Sequence, residues 1–162
     1  MTKDAVYHEK MRLLQDRFGT RRLADVLAKN NRRYAFTEDD IAFIERLPSF
    51  MLASADANGA PDCSYKGTEA GHVRVTGPAS LSFPALDGNG MYRSLVIILD
   101  NPSVGLLFID FTTPQRLRVN GRARGEFDDP RMADIPGAEA MVHVERAAIF
   151  SNCPRYIQTE RG

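Results

Sequence analysis

Two stretches of this 162-residue chain carry residue types that could hold an anion. The first is Leu86-Asp87-Gly88-Asn89-Gly90-Met91-Tyr92-Arg93-Ser94, a Gly-rich loop leading into a helix with Arg93 in its first turns. Backbone N–H groups left free at a helix start, beside a guanidinium, suit a phosphate. A plain loop followed by an arginine on a solvated helix face gives the same letters, and a Gly-rich loop alone is weak evidence. The second stretch holds Arg116, Arg118, Arg122 and Arg124. A spacing of two, with a gap at Asn120, places them on one face of a strand. Like charges in a row repel, so either an anionic ligand or neighbouring Glu and Asp must relieve them. Lys66, closing a strand-like run, offers a third cation, although a solvated strand-end lysine is the ordinary case.

Other chemistries find less support. His8, His72 and His143 are scattered, and there is no HExxH or paired-carboxylate spacing, so no metal site is expected. No GxSxG nucleophile elbow occurs. The two cysteines, Cys63 and Cys153, form no CxxC pair, and Cys63 reads as a small half-buried strand residue. Lys+Arg and Asp+Glu both number 21, so the chain as a whole gives no reason to expect nucleic acid or an anionic membrane as partner. Any anion must be held by a local cluster. Met1–Lys10 lacks an apolar signal region, and the longest apolar run, Leu95–Leu99, is too short to span a bilayer. The expectation is a cytoplasmic protein of one domain.

The elements that must position these residues change character near Pro48. Before it the pattern is helical: Tyr7, Met11, Leu14 and Phe18 share one face, and Leu23, Val26 and Leu27 follow Gly19-Thr20. Thr37-Glu38-Asp39-Asp40 reads as an N-cap with an acidic first turn, ahead of Ile41, Ile44 and Leu47. Residues 1–47 are therefore expected as a helical segment packed on the rest of the chain, 48–162, or on a second copy. After Pro48 the pattern is β. Strands are expected at Phe50–Ala55, Pro61–Lys66, Val73–Val75, Ser80–Phe83, Ser103–Ile109, Leu117–Arg124 and Met141–Phe150. Asn58-Gly59 signals a hairpin turn in which both residues tolerate positive φ. Gly90–Asp100 reads as a helix stopped by Asn101-Pro102. Six or seven short strands at this spacing predict a barrel or sandwich.

The order of these pieces resembles the FMN-binding split barrel of the pyridoxamine 5′-phosphate oxidase superfamily. The likeness runs from about Phe50 to Phe150 and is most specific in Asn101-Pro102-Ser103-Val104-Gly105-Leu106-Leu107-Phe108 and Leu117-Arg118-Val119-Asn120-Gly121-Arg122-Ala123. It also takes in the Tyr7-His8-Glu9 opening and the Asn152-Cys153-Pro154-Arg155-Tyr156 ending of small FMN-binding, oxidase-related bacterial proteins. The resemblance implies a mainly β split barrel with flanking helices, working as a homodimer with FMN at the interface. It implies that Cys63, Ser64, Tyr65 and Lys66 line the isoalloxazine and ribityl chain, with Phe83 and Pro84 touching the flavin from the next strand. Arg93 would bind the FMN phosphate, with Ser94 where the family often has a second cation. Arg116, at a position that is usually Gln in the true oxidases, would reach the ring from the partner strand.

The sequence departs from the true oxidases in four ways. It has no Trp, no Arg-x-His near its end, Ser64 in place of the arginine that opens the family's first phosphate-binding strand, and a longer loop at Ala85–Met91. The expectation is an FMN-dependent reductase or oxidase of a small substrate other than pyridoxamine phosphate. The alternatives are a non-enzymatic flavin-binding, storage or sensing protein, and the same fold holding a deazaflavin or haem.

Overall fold

The computed structural model describes residues 7–151. Three helices, α1 (Glu9–Arg17), α2 (Arg21–Asn31) and α3 (Glu38–Arg46), flank a two-residue strand β1 (Arg32–Arg33). There follow β2 (Ser49–Ala55), β3 (Pro61–Gly67), β4 (Arg74–Gly77) and β5 (Ser80–Leu86), helix α4 (Arg93–Asp100), β6 (Ser103–Ile109), β7 (Arg116–Glu126) and β8 (Ala138–Ser151). A 3-10 turn at Pro130–Asp134 lies between the last two strands. Cys153 and the ending 152–156 lie outside the described residues.

The caps read from sequence form as chemistry dictates. The Thr37 side chain accepts the Asp40 N–H at 3.2 Å, and the Asp40 carboxylate accepts the Thr37 N–H at 2.8 Å. This capping box satisfies two of the helix's orphan donors. Arg33 pairs with the same carboxylate, which ties β1 to the start of α3. Ile44 of α3 is fully buried, whereas α1 buries nothing and leaves Leu13, Leu14 and Phe18 more than half exposed. The hairpin between β2 and β3 differs in detail from expectation. Only Gly59 has positive φ, 84°. The Asp56 carboxylate accepts the N–H groups of Asn58 and Ala60, both at 2.9 Å, so a side chain closes the turn and Asn58 keeps ordinary dihedrals.

The strands form one antiparallel sheet in the order β3-β2-β6-β7-β8-β5-β4, with β1 paired to the far end of β8. The sheet curls until its distant members touch: the Phe50 ring of β2 meets Phe83 of β5 at 4.9 Å and Phe108 of β6 at 5.3 Å. Strand alternation sends Phe50, Leu52, Val104, Leu106, Phe108, Leu117, Val119 and Val144 inward, and these make the core. The curl leaves a gap between edge strand β3 and β5, covered by α4. This is a split β-barrel. Helix α4 starts at Arg93, three residues later than its sequence pattern suggests, because Gly90 and Tyr92 both adopt positive φ, 71° and 50°. Two left-handed residues break the helical path before Arg93. No described helix is long and apolar enough to cross a membrane.

Candidate functional site

The gap of the barrel is a cavity of about 460 Å³ between β3, β5 and α4, within the size range of small-molecule sites. Its walls are apolar where Phe50, Leu52, Phe83, Pro84, Leu95, Ile98 and Val142 contribute, and polar along β3 and the start of α4. The polar side is built by strand alternation. Asp62, Ser64 and Lys66 are partly buried, while Cys63 and Tyr65, on the opposite face, are exposed. Across from them the first two residues of α4 are Arg93 and Ser94. The turn that delivers them is held by the Tyr92 hydroxyl, which donates to Glu139 Oε1 at 3.0 Å, and by Asn89 Oδ1, which accepts the Met91 N–H.

Lys66 Nζ donates to Ser94 Oγ at 2.9 Å, and Ser94 Oγ lies 3.2 Å from Ser64 Oγ. Among the described residues no carboxylate forms an ion pair with Lys66. Burial holds its ammonium below the usual lysine range, an effect that the field of Asp62 only partly offsets. Arg93 Nε donates to Asp62 Oδ1 at 2.8 Å, while the Arg93 side chain stays 64% exposed at the cavity mouth. The arrangement is a half-desolvated ammonium and a guanidinium at one end of an apolar slot. It can accept a ligand with an anionic end and a flat apolar body.

Eight of the nine residues expected from sequence border this cavity: Ser64, Lys66, Phe83, Pro84, Arg93 and Ser94, together with Cys63 and Tyr65, whose side chains alternate to the other face of β3. Arg116 does not. It opens β7 opposite Ile109, on the outer face of the sheet. Met51, Leu107, Ile109, Tyr65 and Phe111 form a shallow apolar groove on that side, with Tyr65 63% and Phe111 47% exposed. Sequence reading missed Asp62, which also lines the cavity, and placed Asp87 within the candidate loop without giving it a role. Asp62 was findable, since it stands two and four residues before Ser64 and Lys66 on the same strand face.

The arginine row lies on one face of β7, as its spacing predicts, and carboxylates of the sheet answer part of it. Arg124 pairs with Glu126 at 2.6 Å and Glu145 at 3.7 Å, and the Arg118 guanidinium sits 5.1 Å from the centre of the Phe150 ring. The same corner gathers Glu126, Asp129 and His143, whose ligand atoms lie within 4.8 Å of one another. Asp129 also accepts from the Arg131 N–H at 2.9 Å, and Glu126 is taken by Arg124. The fold thus uses these groups in a balanced ionic network that pins the 3-10 turn to β8.

The family model for pyridoxamine 5′-phosphate oxidase matches residues 36–150. No curated protein sequence matches the chain significantly. Among solved structures, a Lactobacillus delbrueckii protein assigned provisionally as a pyridoxamine 5′-phosphate oxidase is 21% identical, with a TM-score of 0.58 over 74% of this chain and 98% of its own. HupZ of Group A Streptococcus is 16% identical, with a TM-score of 0.56 over 72% of this chain and 94% of its own. Rv2991 of Mycobacterium tuberculosis is 14% identical, with a TM-score of 0.51 over 82% of this chain and 95% of its own. At these identities the likeness is one of fold.

Proposed function

The chain belongs to the pyridoxamine 5′-phosphate oxidase family, and from that premise we propose that the cavity between β3, β5 and α4 binds FMN in a flavin-dependent reductase or oxidase of a small substrate. The observation that carries this reading is Lys66. A half-buried ammonium whose hydrogen bond goes to the Ser94 hydroxyl is costly to maintain, and an anionic ligand would relieve that cost. The residues fit the cofactor. Lys66, Arg93 and the Ser64 and Ser94 hydroxyls would hold a phosphate through charge-assisted hydrogen bonds. Phe50, Phe83, Pro84 and Leu52 offer the apolar surface that a flat ring needs.

When bound, FMN would supply the redox chemistry. The protein's part is to anchor the phosphate end, to exclude water from the ring with the apolar wall, and to set the charge near the ring. Arg116 is proposed for that last task in a pocket completed by a second copy of the chain. The apolar outer groove beside it, with Tyr65 and Phe111 exposed, supports a homodimer. Ser64 stands where the true oxidases have the arginine that opens their first phosphate-binding strand, which favours a small substrate other than pyridoxamine phosphate. A second reading, a flavin-carrying or flavin-sensing protein without turnover, uses the same pocket.

The test is the visible spectrum of the purified protein before and after adding FMN, followed by incubation with NADH or NADPH. Flavin bands that bleach with a nicotinamide donor are the expected result. Flavin bands without bleaching would favour the carrier or sensor. A deazaflavin or haem spectrum, or no flavin binding, would overturn the FMN assignment.

A further inference from the structure

The cationic end of this cavity also carries carboxylates. Of its charged lining residues, Asp62 and Lys66 stand on β3, Arg93 opens α4 and Asp87 lies in the exposed loop after β5, so the formal charges cancel. Asp62 is the decisive group. Its side chain is 17% exposed and stands 2.8 Å from Arg93 Nε, inside the cavity wall. Asp56 adds a further negative field at Arg93. The position beside Arg93 is Ser94, whose hydroxyl already accepts from Lys66.

On the reading that the cavity takes FMN, we infer that Asp62 holds the Arg93 guanidinium in place while cancelling its charge, so that the protein binds flavin as an exchangeable ligand with little preference for FMN over riboflavin. Two consequences of the geometry support this. Asp62 occupies the Nε–H of Arg93, which leaves the Nη groups as the edge that can meet a phosphate, so the guanidinium is oriented with one of its five donors spent. The carboxylate then faces any phosphate bound at that edge. A dianion beside Asp62 suffers a repulsion that offsets much of the attraction to Arg93, because the two opposite charges are near neighbours. The phosphate adds little net affinity, and the apolar ring contacts dominate.

Asn at position 62 can keep the acceptor for Arg93 Nε and removes the charge, so Asp62→Asn separates orientation from compensation. Flavin fluorescence titration of the full-length protein, with FMN and with riboflavin, reads the outcome. In the wild-type protein the two dissociation constants should agree within about threefold, and D62N should tighten FMN by about tenfold while leaving riboflavin unchanged. Asp87→Asn, in the exposed loop, should act in the same direction and more weakly; it guards against a folding defect peculiar to position 62. If FMN binds the wild type at least a hundredfold more tightly than riboflavin, and neither variant shifts FMN, the exchange inference is overturned and the FMN pocket stands. If neither flavin binds any of the proteins, the FMN reading falls and the inference falls with it.

Discussion

Replacing Lys66 by Met should weaken ligand binding without harming the fold. The Lys66 side chain extends along β3 into the cavity, and its ammonium donates to Ser94 Oγ at 2.9 Å. Because burial pushes its pKa below the lysine range, the fold disfavours the charged form. That unfavourable contribution is fully present below the folded pKa and disappears as pH rises past the value of an unfolded lysine. Met keeps the apolar stem and removes the charge. Ser94 Oγ loses one donor but keeps Ser64 Oγ 3.2 Å away. Unfolding stability should therefore stay level or rise by up to about 1 kcal/mol, which in a domain of this size moves the Tm by no more than about 4 °C. FMN binding should weaken by about 1.5–3 kcal/mol, the scale of a hydrogen bond to a charged group, or roughly 10- to 150-fold. Thermal unfolding by circular dichroism and a flavin fluorescence titration measure the two effects. A K66M protein that melts well below the wild type yet binds FMN equally tightly would show that Lys66 serves the fold and not a ligand.

Three other substitutions probe separate parts of the account. Arg93→Ala should weaken FMN by about 1.5–3 kcal/mol, since it leaves Asp62 facing the phosphate unopposed; an unchanged titration would remove Arg93 from the site. Gly121→Ala should destabilise by about 1–3 kcal/mol through overpacking, because an added Cβ would meet Val144 Cγ1 at 2.7 Å and the Glu145 carbonyl oxygen at 2.8 Å; a urea midpoint within error of wild type would contradict this. Asp110 is held well below the usual carboxylate range, first by the Thr112 hydroxyl and then, against burial, by Arg46. Its stabilisation is therefore complete above the ordinary carboxylate pKa and is lost as pH falls below it, towards the folded value. Asp110→Asn should flatten the acid limb of the stability–pH curve, and a limb of unchanged steepness would refute the assignment.

Much of this was legible in the sequence because the signals were local. Strand β6 falls on the expected Ser103–Ile109, and the Thr37–Asp40 box caps α3 as its letters say. The LRVNGRA stretch makes structural sense once the packing is seen: Leu117, Val119 and Ala123 alternate inward, and Gly121 fits a site with no room for a Cβ. What the sequence withheld depends on distant partners. The two residues of β1 are too few for a periodicity, and they form a strand only because the end of β8 passes beside them. The four consecutive residues Cys63–Lys66 looked like one wall, but a pleated strand splits them between two faces. Asp62 became a site residue only when α4 brought Arg93 to it across 31 positions of chain. Glu126, Asp129 and His143 likewise meet only because the 3-10 turn folds back on β8.

A crystal structure of the protein grown with FMN would show whether the cavity between β3, β5 and α4 is the flavin site. The phosphate should lie within hydrogen-bond distance of Lys66 or Arg93 and the ring against Phe83 and Pro84. Clear density for FMN elsewhere, with Lys66 still bonded only to Ser94, would contradict it.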